Sequence, residues 1–195
     1  MSPSSSSATN QKPTHARYWV VVFALSLAIL SYIDRVALSK AAPRIQETLG
    51  INEQNWGMVV SAFGLGYALF EIPGGFLGDW LGPKKVLIRI VLWWSGFTAL
   101  MGWMWNGMSL AICQFLFAAG EAGGFPNLTK AFASWLRKEE RVKIQGIMWA
   151  AARTGGAFTP LIVLAVFDGI ESFGIPKSAS WRWAFGCFGI FGLVW

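Results

Sequence analysis

Long apolar runs broken by short polar stretches divide the chain into six segments: about 18–42, 56–78, 86–105, 109–136, 144–167 and 181 onward. A helix rises ~1.5 Å per residue and the hydrocarbon layer is ~30 Å thick, so the first five segments are long enough to span a membrane, some with tilt. The sixth runs only from Trp181 to Trp195, ~22 Å of helix, and stops on FGIFGLVW without a polar flank. This predicts an all-α membrane protein with a sixth helix cut short. Residues 1–17 (MSPSSSSATNQKPTHAR) are Ser-rich without apolar periodicity, which predicts a disordered tail ahead of a six-helix domain over 18–195. A cleaved signal peptide fits poorly, because the first apolar run is too long and carries Asp34 and Arg35 where a small-residue cleavage site should begin.

Composition agrees with the pattern. Charged residues make up 13% of the chain, against the ~25% of a soluble domain. The net charge of +6 does not point to nucleic acid, because the basic residues sit in short loops rather than along one face. Their placement instead sets orientation. One side of the membrane would carry Lys12, Arg17, Lys84, Lys85, Arg89, Lys130, Arg137, Lys138, Arg141 and Lys143; the other carries Lys40, Arg44, Lys177 and Arg182. The positive-inside rule then predicts a cytoplasmic N-terminus, with 46–55 and 168–180 facing out and the RKEERVK run over 137–143 as a solvated cytoplasmic loop.

The remaining basic residues, Arg35 and Arg153, fall inside apolar segments with Asp34, Glu71 and Glu121. A charge at mid-bilayer costs at least ~2.5–3.5 kcal/mol, and a short carboxylate cannot snorkel, so these groups must face a protein interior or a water-filled cavity. They either neutralise one another in a packed bundle or line a transport path, and intramembrane ionisables favour the path. Asp34 and Arg35 lie on the first span of the first three and Glu121 on the first span of the second three, the correspondence expected of inverted repeats.

Other chemistries lack their parts. Cys113 and Cys187 stand in apolar stretches without metal-ligand spacing, His15 is in the tail, and no HExxH, GxSxG or GxxxxGK[ST] occurs, so neither an enzyme nor a cofactor is expected. The glycosylation pattern at Asn127 falls within the fourth span and is read as chance.

GFLGDWLGPKK, with Gly75, Asp79, Gly82, Lys84 and Lys85, resembles the loop signature of the major facilitator superfamily. YIDR (32–35), ALFEIPGG (68–75) and GEAGGFP (120–126) are similar to motifs of its anion:cation symporter branch, the sugar-acid permeases and sialin-like carriers. The resemblance covers nearly all of the chain after residue 17 and implies the N-terminal half of a 3+3 inverted-repeat transporter, its partner being a second six-helix half. It implies a multi-pass protein of the bacterial inner or plasma membrane that carries a small anionic substrate with protons, sodium being compatible as the ion. Asp34 and Glu121 match the family's protonation sites and Arg35 its substrate-binding cation. Tyr32, Glu71, Gln114 and Arg153 complete the expected substrate site. Gln114 departs from the pattern, since relatives usually carry an arginine there; Arg153 either replaces that cation or pairs structurally with Glu121 or Glu71. A non-transporting membrane partner or sensor built on a half-transporter is the second reading.

Overall fold

The computed structural model describes residues 16–195 and is helical throughout, without a strand among the described residues. Its helices are α1 (Ala16–Leu49), α2 (Glu53–Leu81), α3 (Pro83–Met101), α4 (Gly107–Glu121), α5 (Gly124–Trp135), α6 (Lys138–Ser172) and α7 (Lys177–Val194). The expected disordered tail lies outside the described residues except for Ala16 and Arg17. Those two are helical, and Arg17 reaches Glu140 at 3.2 Å.

The helices run past the apolar segments that predict them, because a helix need not end where hydrocarbon does. Residues 46–49 belong to α1 and 168–172 to α6, so the loops expected over 46–55 and 168–180 shrink to a few residues around Gly50 and Gly174, both at positive φ. The RKEERVK run is likewise not a loop. Only Arg137 precedes α6, and residues 138–143 form its first turns, with Glu139 and Glu140 placed favourably at the positive end of the helix dipole. Side-chain caps fix other starts: Asn52 accepts from the Asn55 amide at 2.8 Å and Asn106 from that of Ser109 at 2.7 Å. Gly82, at φ 80°, makes the turn from α2 into Pro83 at the head of α3, a backbone shape that glycine adopts without steric cost.

The fourth apolar segment contains a break. Between α4 and α5 the chain bends at Ala122 and Gly123, where Pro126 supplies no amide proton for the preceding turn. Just past it Asn127, fully buried, donates its side-chain amide to the carbonyls of Gly123 (2.7 Å) and Gly74 (2.9 Å). This ties the break to α2. Gly74 and Gly123 pack backbone to backbone there, and a Cβ on Gly74 would lie 2.7 Å from the Gly123 Cα.

Taking α4 and α5 as one span gives six. The closest pairings are α1 with α6, α2 with α4 and α3 with α7. Exchange of spans 1, 2 and 3 with 4, 5 and 6 maps the first pairing onto the second and the third onto itself, the contact pattern of a 3+3 repeat. Four spans are long and apolar enough by themselves to cross a membrane: 16–49, 53–81, 107–135 and 138–172. Helix α3 has 19 residues, with Lys84, Lys85 and Arg89 in its first two turns, and α7 has 18 and begins at Lys177 rather than Trp181. Trp181, Phe185, Ile90, Leu110 and Phe132 fill the interior, while Leu65, Ile72, Phe76, Trp80 and Leu161 stand exposed, as surfaces facing lipid or another domain do.

Arg44 and Arg182, expected to be plain outer charges, instead lock helix ends at one end of the bundle. Arg44 pairs with Glu171, donates to Ser180 Oγ at 2.5 Å and lies 4.1 Å over the Phe167 ring, joining α1, α6 and α7. Arg182 donates to the carbonyls of Gly102 and Met104, both at 2.8 Å, closing the end of α3.

Candidate functional site

Ser31 and Arg35 are one turn apart on α1, so their side chains share the face that meets α4. Glu121, the last residue of α4 before the break, projects onto that face and is 2% exposed. The Ser31 hydroxyl donates to one carboxylate oxygen, and Arg35 Nε lies 3.0 and 3.2 Å from the two. A carboxylate buried this deeply persists only because both partners satisfy it; removing one partner of such a pair costs roughly 3–5 kcal/mol.

Glu121 holds Arg35 through Nε alone. Its side chain is 23% exposed, and Nη2 has no hydrogen-bond partner. Around the guanidinium stand Tyr67 at 4.6 Å, Phe63 at 5.2 Å, Tyr32 at 5.7 Å and Phe125 at 5.8 Å. These four rings attract the cation, and the Tyr67 hydroxyl interacts with it as well, while Nη2 is left over. Phe125 is braced by Trp149, stacked at 4.6 Å and 9°. Ser31, Phe63, Tyr67, Phe125 and Trp149 were missed in the sequence, although Phe63 and Tyr67 stand one turn apart on α2 and so line one face.

The other expected residues separate into distinct places. Adjacent helical residues point ~100° apart, so Asp34 leaves the Arg35 face and enters an apolar crevice formed with Trp94, Ile162, Val166, Cys187 and Phe191. Gln114, buried, lies two turns before Glu121 on the same side of α4, and its Oε1 has no partner. Glu71 lines a cleft with Asp79, Pro126 and Lys130 rather than the Arg35 site. In that cleft Lys130 reaches Asp79 at 2.6 Å and the Gly75 carbonyl at 2.5 Å, so the loop signature is tied to α5. Lys84 and Lys85 begin α3 and are exposed. Arg153 is exposed on α6, one turn beyond Trp149 and without an ion pair among the described residues. The alternative structural pairing of Arg153 with Glu121 or Glu71 is therefore absent here: Glu121 belongs to Arg35. No cluster of metal-binding side chains occurs among the described residues.

Known proteins place this arrangement. The chain is 39% identical over 179 residues to a probable sulfoacetate transporter of Cupriavidus necator, covering 92% of this chain and 40% of that protein. It is 31% identical to the D-galactonate transporter of Escherichia coli O6:H1, covering 94% and 41%, and 31% identical to the hexuronate transporter of Bacillus subtilis, covering 90% and 40%. The chain thus spans about 40% of the length of these relatives. Its fold matches a bacterial homologue of the human lysosomal transporter Spinster, solved inward-facing and unoccupied, with TM-score 0.83 and 23% identity over 94% of this chain and 42% of that one. Residues 24–195 match the family profile itself, so the six spans, the paired Arg35 and Glu121 and the tied loop at Gly75–Lys85 belong to a member of the Major Facilitator Superfamily, related to the sugar-acid permeases.

Proposed function

We propose that the chain forms the first half of a secondary transporter that moves a small organic anion together with protons, the second half supplying the opposite wall of the path. The observation that carries this reading is the half-satisfied Arg35. Glu121 holds the guanidinium through Nε, while Nη2 stays unpaired inside the aromatic ring set. Ionised Glu121 and a substrate carboxylate compete for one cation. Protonation of Glu121 releases Arg35 to take the anion through a bidentate fork; loss of the proton recaptures Arg35 and expels the anion. Each carboxylate that cycles in this way biases the equilibrium between outward- and inward-open states.

Asp34 is the second proton site in this scheme. Its crevice is walled by aliphatic and aromatic side chains and offers no second carboxylate, whereas a bound metal cation needs several oxygens. A proton needs one acceptor, so the chemistry favours protons over sodium. The relatives' substrates, sulfoacetate, galactonate and hexuronate, are all organic anions, which fits a cationic pocket. Uptake of such acids into vesicles under an imposed pH gradient, with external alkalinisation and no sodium requirement, tests the assignment; uptake that follows a sodium gradient alone overturns the coupling.

Arg153 would supply the second cation that Gln114 does not. It is exposed, without an ion pair among the described residues, and stands one turn from the Trp149 ring that supports Phe125. In a transporter with this half, Arg153→Lys should weaken substrate binding by roughly one to two orders of magnitude through loss of the fork, with thermal stability unchanged. Gln114→Arg should restore part of the loss. Intact affinity with lowered stability would assign Arg153 a structural role instead.

The excess of Lys and Arg on the side of the N-terminus supports a cytoplasmic N-terminus. With Cys113 and Cys187 removed, single cysteines at the exposed positions Gln54 and Glu139 should label from outside with an impermeant maleimide at 54 only. Labelling at 139 and not 54 reverses the orientation.

A further inference from the structure

Two polar groups share the crevice between α1, α3, α6 and α7, away from the Arg35–Glu121 site. Asp34 lines it from α1 and makes no hydrogen bond or ion pair among the described residues. Trp94 lines it from α3, is 2% exposed, and its indole N–H has no acceptor. Ile162 and Val166 of α6 and Cys187 and Phe191 of α7 help to wall a volume of about 470 Å³. An unpaired donor and a carboxyl beside room for several waters, at ~30 Å³ each, are the conditions under which water belongs to a structure. Water suits both groups: its oxygen accepts from the indole, and it donates to or accepts from the carboxyl in either protonation state.

Three of the four helices that wall the crevice are tied together beyond it. At the Gly174 end of the bundle, Arg44 of α1 pairs with Glu171 of α6 and donates to Ser180 Oγ of α7, and Thr48 Oγ1 donates to the Ser178 carbonyl at 3.2 Å. Arg44 also lies over the ring of Phe167, which is 2% exposed and directly follows the crevice residue Val166. At ~1.5 Å per residue, Arg44 stands ~15 Å beyond Asp34 along α1, and Glu171 ~7.5 Å beyond Val166 along α6. Between Asp34 and Arg44, α1 buries Ala37, Leu38, Ala41 and Ala42. Alanine side chains fill little space, so much of the seal at that end rests on Phe167 and the arginine stacked on it.

We propose that the crevice is a water-holding proton vestibule for Asp34, and that the Arg44–Glu171 latch shuts the end through which it exchanges with solvent. The proposal rests on the reading of Asp34 as a proton site. While the latch is closed, Asp34 keeps the proton state it has. When the latch parts, Phe167 is free to turn aside, and water joins the crevice to the solvent at the Gly174 end. Asp34 then exchanges its proton without any passage past a substrate held on Arg35. Few titratable groups face Asp34: Cys187 from α7 and, through its field, Glu121 from α4, with none lining the crevice from α3 or α6. Exchange is therefore set by access to water rather than by a neighbouring base.

Cys187 lines the crevice and reports on its water, because a thiol reacts as the thiolate, which forms where water reaches it. The probe is 2-sulfonatoethyl methanethiosulfonate, a charged reagent, added to the chain in phospholipid nanodiscs, whose two faces are both open to solvent. Adducts at Cys187 and Cys113 are followed by peptide mass spectrometry. Glu171→Ala, at a helix end, and Arg44→Gln should each raise the Cys187 rate about tenfold, the scale of losing one charge-assisted hydrogen bond. Cys113, buried beside the Phe97 carbonyl, should keep its parental rate. Ile162→Trp, which fills the crevice, should bring the Glu171→Ala rate back down. An unchanged Cys187 rate in both latch variants, a Cys113 rate that rises in step, or no effect of Ile162→Trp would overturn the latched vestibule. The parent tests it alone: Cys187 should label far more slowly than a cysteine at the exposed position Gln54, and equal rates would overturn the proposal even if a variant misfolds. Failure of the underlying reading shows separately, as accumulation that survives Asp34→Asn in the whole transporter while the labelling pattern stands.

Discussion

Arg35→Lys, in a transporter carrying this chain as its first half, is expected to lower substrate affinity by roughly two orders of magnitude while the protein still folds. Lysine keeps the charge and can still satisfy Glu121, which is 2% exposed and would otherwise be left as a lone buried carboxylate. It loses the planar fork. Arginine bonds Glu121 through Nε and leaves the Nη groups directed among Tyr32, Phe63, Tyr67 and Phe125, so two partners can be read by one side chain. A lysine ammonium is a single point charge, strongly hydrated and poorly matched to four ring faces. Arg35→Ala should be worse in a different way, because it strands Glu121 and so reduces folded protein in the membrane. Substrate-dependent thermal stabilisation of the purified lysine variant separates the two effects. A lysine variant with parental affinity would remove Arg35 from the binding site.

The sequence made intramembrane charge legible, because a charge in hydrocarbon is too costly to be incidental; Arg35 and Glu121 stood out for that reason. Their pairing did not, since 86 positions separate them and only folding brings α1 against α4. Sequence adjacency also misled. Asp34 and Arg35 read as one unit, but successive helical side chains diverge by ~100°, and they serve an apolar crevice and a polar site respectively. Loop boundaries were misplaced because hydrophobicity marks where lipid ends, whereas helices end where caps and positive-φ glycines stop them, as at Asn52 and Gly82. The break after Glu121 was written in the chain as Gly123, Gly124 and Pro126. What could not be read there is that Asn127 ties it to α2 by bonding the Gly74 carbonyl.

That break gives Glu121 its position at a helix end, and the largest effect on coupling is expected from Glu121→Gln. Glutamine is nearly isosteric and can accept from Ser31 and Arg35, so the fold should survive, but it cannot bind or release a proton. Accumulation driven by a pH gradient should be lost, and exchange of labelled for unlabelled substrate should persist. The pH dependence of binding carries the sharper test. In the parent, ionised Glu121 competes with the substrate for Arg35 and a protonated Glu121 does not, so affinity should fall as pH rises. A neutral amide competes weakly at every pH. The variant should therefore bind with a nearly flat pH profile and surpass the parent at alkaline pH. Asp34→Asn should also abolish accumulation, yet its binding should still weaken as pH rises, because the Arg35–Glu121 pair that competes with the substrate is left in place. Isothermal titration of both variants across pH 5–9 decides the matter. A Glu121→Gln profile as steep as the parent's would show that proton and anion do not compete for one guanidinium, and the mechanism built on the Arg35–Glu121 pair would fail.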